Sequence, residues 1–450
     1  MGVVYTSKLI KPDLKAVYPE IAFGRGVYLQ DSTGKRYLDG CSGAVSSGIG
    51  HGVAEINRAI GQQLDSVAFV YRSQFTSPAA EELAERLSGL IPGASYHAFF
   101  VNSGSEATET AAKIAVQYWQ ERGRGQKVRI LSRWMSYHGF TLGALSMSGH
   151  ARRRSRYASL LHDWPVVSSP YPYRSPYGPD LATIAEKHAD ELEQSILRIG
   201  ADNIAAFIAE PVIGASGGAI VPPDGYFQRI RDICTRYDVL LIVDEVMTGI
   251  GRTGELLAIN HWHVIPDLIT LGKGLGAGYT PIGATLVREE VLHEIQNRSG
   301  VIIGGHTFSA NPLSCATARA VFDYVDRNHL VERAAENGEY LLNRLRELTH
   351  RFSFVGDARG LGLLCGIEFV ENTVTKKPFP VDVDVTGLVV RTAFEHGLLL
   401  YPAGGALENQ SGDAVIVAPP LTISRLELEE LLEKTFATLS HVQSYLNVNA

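Results

Sequence analysis

The chain has 450 residues, of which 45% are hydrophobic and 20% are charged, and its formal net charge is −7. This composition is that of a globular protein with a large core, and the charge gives no reason to expect nucleic acid or an anionic membrane as a partner. The length predicts two or three domains, or one large α/β domain with a smaller companion.

The cysteines and the N-terminal residues indicate the cellular compartment that is expected for the protein. Four cysteines lie far apart, with no metal-ligand spacing and no disulfide framework. A reducing, cytoplasmic compartment and the absence of a metal site are therefore expected. Residues 1–12 show no signal peptide, and no run of about 18 apolar residues predicts a transmembrane helix.

The first hundred residues begin with short strands and turns. Residues 26–31 and 36–39 flank the turn at 32–34 and predict a β-hairpin, and helices are predicted over 53–64 and 81–90. Between these helices lies an aromatic cluster with one cation, which either lines a substrate pocket or packs in the core. Its members are Phe69, Tyr71, Arg72 and Phe75.

A strand, a turn and a helix follow in an order that suits an anion site. Residues 97–101 predict a buried strand, which runs into the turn that begins at Asn102 and then into a helix through residue 119. Free N–H groups and the helix dipole at such a turn attract a phosphate. The alternative is an ordinary N-capped helix, since Ser103 or Ser105 caps well.

The middle of the chain adds a further strand and a long loop. Residues 128–131 predict a strand that leads to Tyr137, an aromatic residue able to stack on a planar ring, although a lone Tyr-His pair is more often structural. Residues 151–180 have little periodicity and are predicted to form a long, ordered surface loop. The basic run at residues 152–154 is interpreted as a solvated face.

Two apolar runs end in charged residues, and the rest of the chain is organised around them. Residues 239–243 predict a strand buried on both faces that delivers Asp244 and Glu245 to its carboxyl end. Residues 267–271 end similarly, at Lys273 between two glycines, and residues 204–209 end at Glu210. A lysine and an aspartate at neighbouring strand ends suit pyridoxal phosphate. The alternative is a buried ion pair that only shapes a loop.

The C-terminal third has a different texture. A polar, glycine-rich loop over 304–311 offers donors to an anion, and helices are predicted over 312–326 and 332–350. Strands and helices then alternate to the end and predict a smaller α+β domain. The predicted domains are an N-terminal segment over 1–60 that contributes to the small domain, a large domain over 61–330 and the small domain over 331–450.

The ordered set of motifs resembles the class III aminotransferases, which are fold type I pyridoxal-phosphate enzymes. The motifs are Asn102 to Ala107, Tyr137-His138-Gly139, Glu210-Pro211-Val212, Asp244 to Gly249, Gly272-Lys273-Gly274 and His306-Thr307-Phe308. Each motif alone is weak, whereas the ordered set is specific and spans residues 24–432. The resemblance implies an α/β fold, with a mainly parallel central sheet flanked by helices in the large domain.

The resemblance also implies roles for individual residues. Lys273 forms a Schiff base with pyridoxal phosphate and then moves the proton, Asp244 pairs with the pyridine nitrogen, and Glu210 lies near the ring and the substrate. The remaining cofactor contacts are Ser103, Gly104, Ser105, Tyr137, His138, Val246 and, from a neighbouring subunit, Thr307. Substrate contacts are expected from Tyr71, Arg72 and Arg425. Arg425 is either a carboxylate-binding arginine or a surface arginine at a helix start.

The function implied is that of a transaminase acting as a homodimer or a dimer of dimers. It moves an amino group from an ω-amino acid, an amine or an amino acid to a 2-oxo acid such as pyruvate or 2-oxoglutarate. A racemase, an epimerase or a decarboxylase of the same family stays open, as does a non-catalytic binding module. A nicotinamide oxidoreductase is disfavoured, because no Gly-x-Gly-x-x-Gly follows the first strand with an acidic residue about twenty positions further on.

Overall fold

The computed structural model describes residues 7–405 and 407–449 of the chain. The strands are β1 Ile21–Arg25, β2 Tyr28–Asp31, β3 Arg36–Asp39, β4 Tyr96–Val101, β5 Arg129–Arg133, β6 Val166–Val167, β7 Ile204–Ala209, β8 Leu240–Asp244, β9 Leu268–Leu271, β10 Gly283–Arg288, β11 Val355–Leu361, β12 Leu364–Phe369, β13 Leu398–Leu399, β14 Tyr401–Pro402 and β15 Asp413–Val417. Among the described residues, no helix is both long and apolar enough to cross a bilayer.

The helices alternate with the strands over much of the chain. They are α1 Ser42–Val45, α2 Ala54–Ser66, α3 Pro78–Ser88, α4 Gly104–Glu121, α5 Leu142–Met147, α6 Ala151–Ser155, α7 Leu181–Ile199, α8 Tyr226–Arg236, α9 Glu289–Gln296, α10 Pro312–Arg327, α11 Leu330–Arg346, α12 Leu348–Arg351, α13 Val385–Glu395 and α14 Arg425–Asn449. The helices expected from periodicity are therefore present, with ends shifted by a few residues.

A seven-stranded sheet forms the centre of the molecule, in the order β4-β10-β9-β8-β7-β5-β6. The pairs from β9 to β6 are parallel, and β10 runs antiparallel to both β9 and β4. The strands β4, β5, β7, β8 and β9 therefore point the same way, and their carboxyl ends lie along one edge. This mixed but mainly parallel sheet confirms the expected α/β architecture.

Strand β8 is buried on both faces, as its apolar run predicts. Leu241 and Val243 pack into one hydrophobic cluster, while Leu240 and Ile242 pack into a second cluster across the sheet. The alternation follows from the two-residue period of a strand. Helix α4 packs against β7 to β10, and α8 packs on β8. The strand that carries Asp244 is thus held rigidly between helices.

Two smaller sheets use the ends of the chain. The predicted hairpin is confirmed as the antiparallel pair β2–β3, and β3 also pairs in parallel with β13. The second sheet has the order β11-β12-β15-β14. The pairing of β3 with β13 joins the N-terminal hairpin to a C-terminal strand. The predicted domains over 1–60, 61–330 and 331–450 stay predictions.

The region over 151–180 differs from the loop expected there. It contains α6 and the short strand β6, which extends the central sheet beside β5. The interpretation of the basic run as a solvated face is wrong for two of its three arginines. Arg154 donates to the carbonyl oxygens of Leu145, Ser146 and Ser148, and Arg153 stacks on Tyr137. The short helix α6 turns these side chains back toward the protein.

Candidate active site

A cavity of about 160 Å³ lies at the carboxyl edge of the central sheet. Its lining residues come from the segments that follow β4, β5, β7, β8 and β9. They are Gly104, Ser105, Tyr137, His138, Gly139, Glu210, Val212, Ala215, Asp244, Val246, Met247, Thr248 and Lys273. Ligands bind at this edge in open α/β sheets, because the strand ends meet there. Most of the predicted site residues are thus brought together.

Asp244 is held in place by three hydrogen bonds to its two carboxylate oxygens. Oδ2 lies 2.7 Å from Nδ1 of His138, and Oδ1 accepts from the Val246 N–H at 3.0 Å and from the Thr270 hydroxyl at 3.1 Å. A carboxylate offers about four lone-pair positions. One acceptor position is therefore left on a buried aspartate that lines the cavity.

Lys273 follows β9 and places its side chain in the same cavity. Its backbone has φ of 39°, in the left-handed region that non-glycine residues rarely adopt. Burial lowers the pKa of the Lys273 amine from its ordinary value, Asp244 and Glu210 act in the opposite direction, and Arg153 adds to the lowering. A lowered pKa increases the neutral fraction of the amine, which is the form that acts as nucleophile and base.

Glu210 is fixed at the end of β7 by two backbone donors. Its Oε2 accepts from the Tyr137 N–H at 3.1 Å, and its Oε1 accepts from the Gly214 N–H at 3.2 Å. Burial raises the pKa of the Glu210 carboxyl, and the nearby charge of Asp244 acts in the same direction. Arg133, itself buried, donates to the Glu210 carbonyl at 2.5 Å. Glu210 therefore links Tyr137 to the strand ends.

The N-terminus of α4 also lines the cavity, through Gly104 and Ser105. Ser103 is the N-cap, since its hydroxyl accepts from the Glu106 N–H, which matches the capping alternative for this residue. Gly104 and Ser105 are the first residues of the helix, whose N–H groups have no partner within the helix. The Ser105 hydroxyl accepts from the Phe140 N–H at 2.9 Å and keeps its proton to donate. These groups suit an anion.

Close packing around this end leaves no room for larger residues. A Cβ at Gly104 would lie 2.7 Å from Cγ1 of Val246, and a Cβ at Gly139 would lie 2.5 Å from the Ser105 hydroxyl oxygen. Both distances are shorter than real contacts allow. The glycines therefore bring the helix N-terminus up to Val246 and to the segment that carries Tyr137.

Five predicted residues lie outside the cavity lining of their own chain, namely Ser103, Tyr71, Arg72, Thr307 and Arg425. Thr307 is exposed on the loop after residue 300, and Tyr71 is exposed as well. Arg72 donates to the Gly304 carbonyl of that loop and lies 4.7 Å from the Phe99 ring centroid. Of the aromatic cluster, Phe69 packs edge-on against Phe308 at 5.8 Å. The cluster is neither core nor cavity lining but an exposed surface.

Arg425 is exposed at the start of α14 rather than at the cavity. Its guanidinium carbon lies 3.8 Å from the ring centroid of Tyr340 on α11. This placement matches the alternative of a surface arginine at a helix start, and the role in carboxylate binding stays a prediction.

Thr270 and Arg153 are among the contributors to the site that reasoning from the sequence missed. Thr270 is the single polar residue in the apolar run of β9, and this break in the pattern is a signal that could have identified it. Arg153 carries no such signal. It lies in a run of three arginines, and only the fold separates the one that faces Tyr137 from its neighbours.

The cavity fits pyridoxal phosphate on these observations. Asp244 would offer its free acceptor position to a protonated pyridine nitrogen, the N-terminus of α4 would offer donors to a phosphate, and Lys273 would offer an amine to an aldehyde. Val246 and Tyr137 both line the space where a ring would lie. The fold and the site together define a pyridoxal-phosphate-dependent enzyme.

Comparison with known proteins identifies the family. Residues 13–439 match the class III aminotransferases, and the chain belongs to this family. It is 49% identical over 441 residues to the uncharacterized aminotransferase YodT of Bacillus subtilis, covering 98% of this chain and 99% of that protein. It is 35% identical to putrescine–pyruvate aminotransferase of Pseudomonas aeruginosa, covering 92% and 88%.

Solved structures agree with this assignment. An amine transaminase from an uncultivated Pseudomonas species, in its pyridoxal-phosphate-bound form, superposes with a TM-score of 0.90 at 35% identity, covering 97% of this chain and 98% of that one. The protein is thus an aminotransferase with pyridoxal phosphate as its cofactor and an amino donor and a keto acid as its substrates. The resemblance stated from the motifs is confirmed.

Proposed function

We propose that this aminotransferase moves an amino group from an amine or an ω-amino acid to a 2-oxo acid such as pyruvate or 2-oxoglutarate, in two half-reactions that share one site. The relative that acts on putrescine and pyruvate supports this choice of donor and acceptor. The observation that carries the proposal is the convergence of Lys273 and Asp244 on one cavity at neighbouring strand ends.

Four residues of the cavity have a proposed task. When bound, pyridoxal phosphate supplies an aldehyde for the amino group and a ring that takes up electrons from the substrate. The Nζ atom of Lys273 would remove the proton from the substrate carbon that bears the amino group and would deliver it to the cofactor carbon that held the aldehyde. Asp244 holds a proton on the pyridine nitrogen. Glu210 fixes Tyr137 against the ring.

Initial-rate kinetics test this function. The proposal expects that putrescine or β-alanine with pyruvate or 2-oxoglutarate yields parallel lines in double-reciprocal plots, because the first product leaves before the second substrate binds. Without an oxo acid, the same donors are expected to yield at most one equivalent of product per active site. Loss of stereochemical purity in an amino acid, without net amino transfer, would instead favour the epimerase alternative.

We further propose a homodimer with Thr307 of one subunit at the phosphate of the other. Large apolar side chains are exposed around this residue, which is typical of a surface that another molecule covers. They are Phe69 at 40%, Tyr71 at 46%, Phe75 at 65%, Ile303 at 76% and Phe308 at 53% exposure.

The four cysteines are buried free thiols, which supports a cytoplasmic location.

Replacing Thr307 with valine removes a hydroxyl while keeping the shape of the side chain. We expect the affinity for pyridoxal phosphate to fall by about tenfold to a hundredfold, the size of a hydrogen bond to a charged group. Equilibrium dialysis of the cofactor against the purified protein measures this change.

Mixed dimers decide which subunit uses the hydroxyl. His306 lies 3.8 Å from Glu106 of its own chain, so a contact within one chain is the competing arrangement. Lys273→Ala and Thr307→Val chains are co-expressed to give mixed dimers. If Thr307 acts within its own chain, neither site is intact. If Thr307 acts across the interface, the subunit that keeps Lys273 receives Thr307 from its partner, and each mixed dimer has one intact site. Activity at low cofactor concentration therefore approaches half that of wild-type dimers. No recovery in the mixed dimers would contradict the proposal.

A further inference from the structure

Arg153 lies beside the cavity, against two tyrosines from different parts of the fold. Its guanidinium carbon is 4.2 Å from the ring centroid of Tyr137, which lines the cavity. Its Nη2 atom donates to the hydroxyl of Tyr401 on β14 at 3.2 Å. The remaining N–H groups of its planar fork are not used by these two contacts.

The charge of Arg153 has no acidic partner among the side chains that the structure describes. No described carboxylate lies within 4.0 Å of its guanidinium, whereas Arg174 and Arg359 each pair with Glu368. Arg153 is nevertheless half-buried. A partly buried guanidinium that is held by an aromatic ring and a hydroxyl is poised for an anion from outside the chain.

The same charge acts on the catalytic amine. Arg153 is one of the groups that lower the pKa of Lys273, so its field extends into the cavity. The neighbouring Arg152 is exposed and packs beside Gly405. A Cβ added to Gly405 would lie 2.8 Å from the Cδ atom of Arg152. The two adjacent arginines therefore face different surroundings, and only Arg153 faces Tyr137.

We propose that Arg153 binds the carboxylate of the 2-oxo acid, together with the Tyr401 hydroxyl, and so selects carboxylated substrates in the second half-reaction. This inference rests on the proposed function. A guanidinium fork accepts two carboxylate oxygens side by side, which fixes the orientation of the carbonyl carbon next to the carboxylate. The assignment gives to Arg153 the role that the sequence suggested for Arg425.

Variants of three arginines separate the possibilities. Arg153→Gln removes the charge and Arg153→Lys keeps it without the fork. Arg152→Gln is the matched control one position away, and Arg425→Gln tests the competing residue. Each half-reaction is followed separately by stopped-flow absorbance of the holoenzyme, with putrescine as a donor that has no carboxylate and pyruvate as the acceptor.

For Arg153→Gln we expect the apparent affinity for pyruvate to fall by about tenfold to a hundredfold, the range of a charge-assisted hydrogen bond. The putrescine half-reaction stays within about threefold of wild type, and Arg153→Lys lies between the two. Arg152→Gln leaves both half-reactions near wild type, and a larger loss of pyruvate affinity in Arg425→Gln than in Arg153→Gln would overturn the proposal. An equal slowing of the putrescine half-reaction would overturn the proposal, because Arg153 would then only position Tyr137.

Binding of propanoate, a carboxylate that cannot react, provides a measurement independent of turnover. Calorimetry on the wild-type holoenzyme is expected to detect binding that weakens in Arg153→Gln and persists in Arg425→Gln. The reverse ranking would overturn the assignment to Arg153. If the wild type transferred no amino group from any donor, the proposed function would fail, whereas the propanoate result would still decide whether Arg153 holds a carboxylate.

Discussion

Replacing Lys273 with alanine is expected to lower kcat by roughly four orders of magnitude or more. The substitution removes both the amine that attaches the cofactor and the base that moves the Cα proton, and general base catalysis alone contributes about 10²- to 10⁴-fold. The other cofactor contacts are untouched, so the variant is expected to retain pyridoxal phosphate without a covalent bond. Steady-state kinetics with the best donor measure the loss.

Borohydride reduction followed by peptide mass spectrometry is the companion measurement for this variant. In the wild type the cofactor becomes fixed to the peptide that contains Lys273, and in Lys273→Ala no peptide carries it. Lys127 is an internal control, because it is a second lysine whose pKa is lowered by burial, to about 8. Its amine donates to the Ala201 carbonyl and lies outside the cavity lining. An adduct that persists in Lys273→Ala, on Lys127 or elsewhere, would contradict the assignment.

Replacing Asp244 with asparagine is expected to lower kcat by about 10³-fold, which corresponds to about 4 kcal/mol of transition-state stabilisation. The amide keeps the size of the side chain but loses the negative charge that favours a protonated pyridine nitrogen. The electron pair of the Cα–H bond is then accepted less readily. The half-reaction with a single donor, measured at saturation, reports this step directly.

Glu245 supplies the matched control for Asp244. It is the next residue, equally buried, and its pKa is raised to about 7 by burial. Its carboxylate accepts from the Thr248 hydroxyl and the Ile259 N–H rather than facing the cavity. Glu245→Gln is therefore expected to keep kcat within about threefold. Equal losses in both variants would mean that Asp244 acts through folding and not through the cofactor.

Reasoning from the sequence predicted the strands that end at the site because each has a strong local signal. The apolar runs before Glu210, Asp244 and Lys273 are buried on both faces of the sheet, and such burial favours hydrophobic residues at nearly every position, with Thr270 as the exception. Polar residues at the ends of such runs then lie at one sheet edge. The chemistry of the cavity could therefore be inferred from the sequence.

Other features depend on contacts between distant segments, for which one sequence carries no signal. The antiparallel insertion of β10 between β4 and β9, and the pairing of β3 with β13, are decided by packing. The placement of Arg153 over Tyr137 depends on the short helix α6, which has too few residues to show periodicity. The exposed position of Tyr71 likewise follows from the loop against which its neighbours pack.

The half-reaction of the wild-type enzyme shows whether the cavity carries out amino transfer. The purified protein, saturated with pyridoxal phosphate, is mixed with putrescine in the absence of any oxo acid while the visible absorbance of the cofactor is recorded. We expect the visible band to disappear in one turnover, pyridoxamine phosphate to be left on the enzyme, and pyruvate to restore the band. A band that persists with every amine and amino acid offered would contradict the assignment as an aminotransferase.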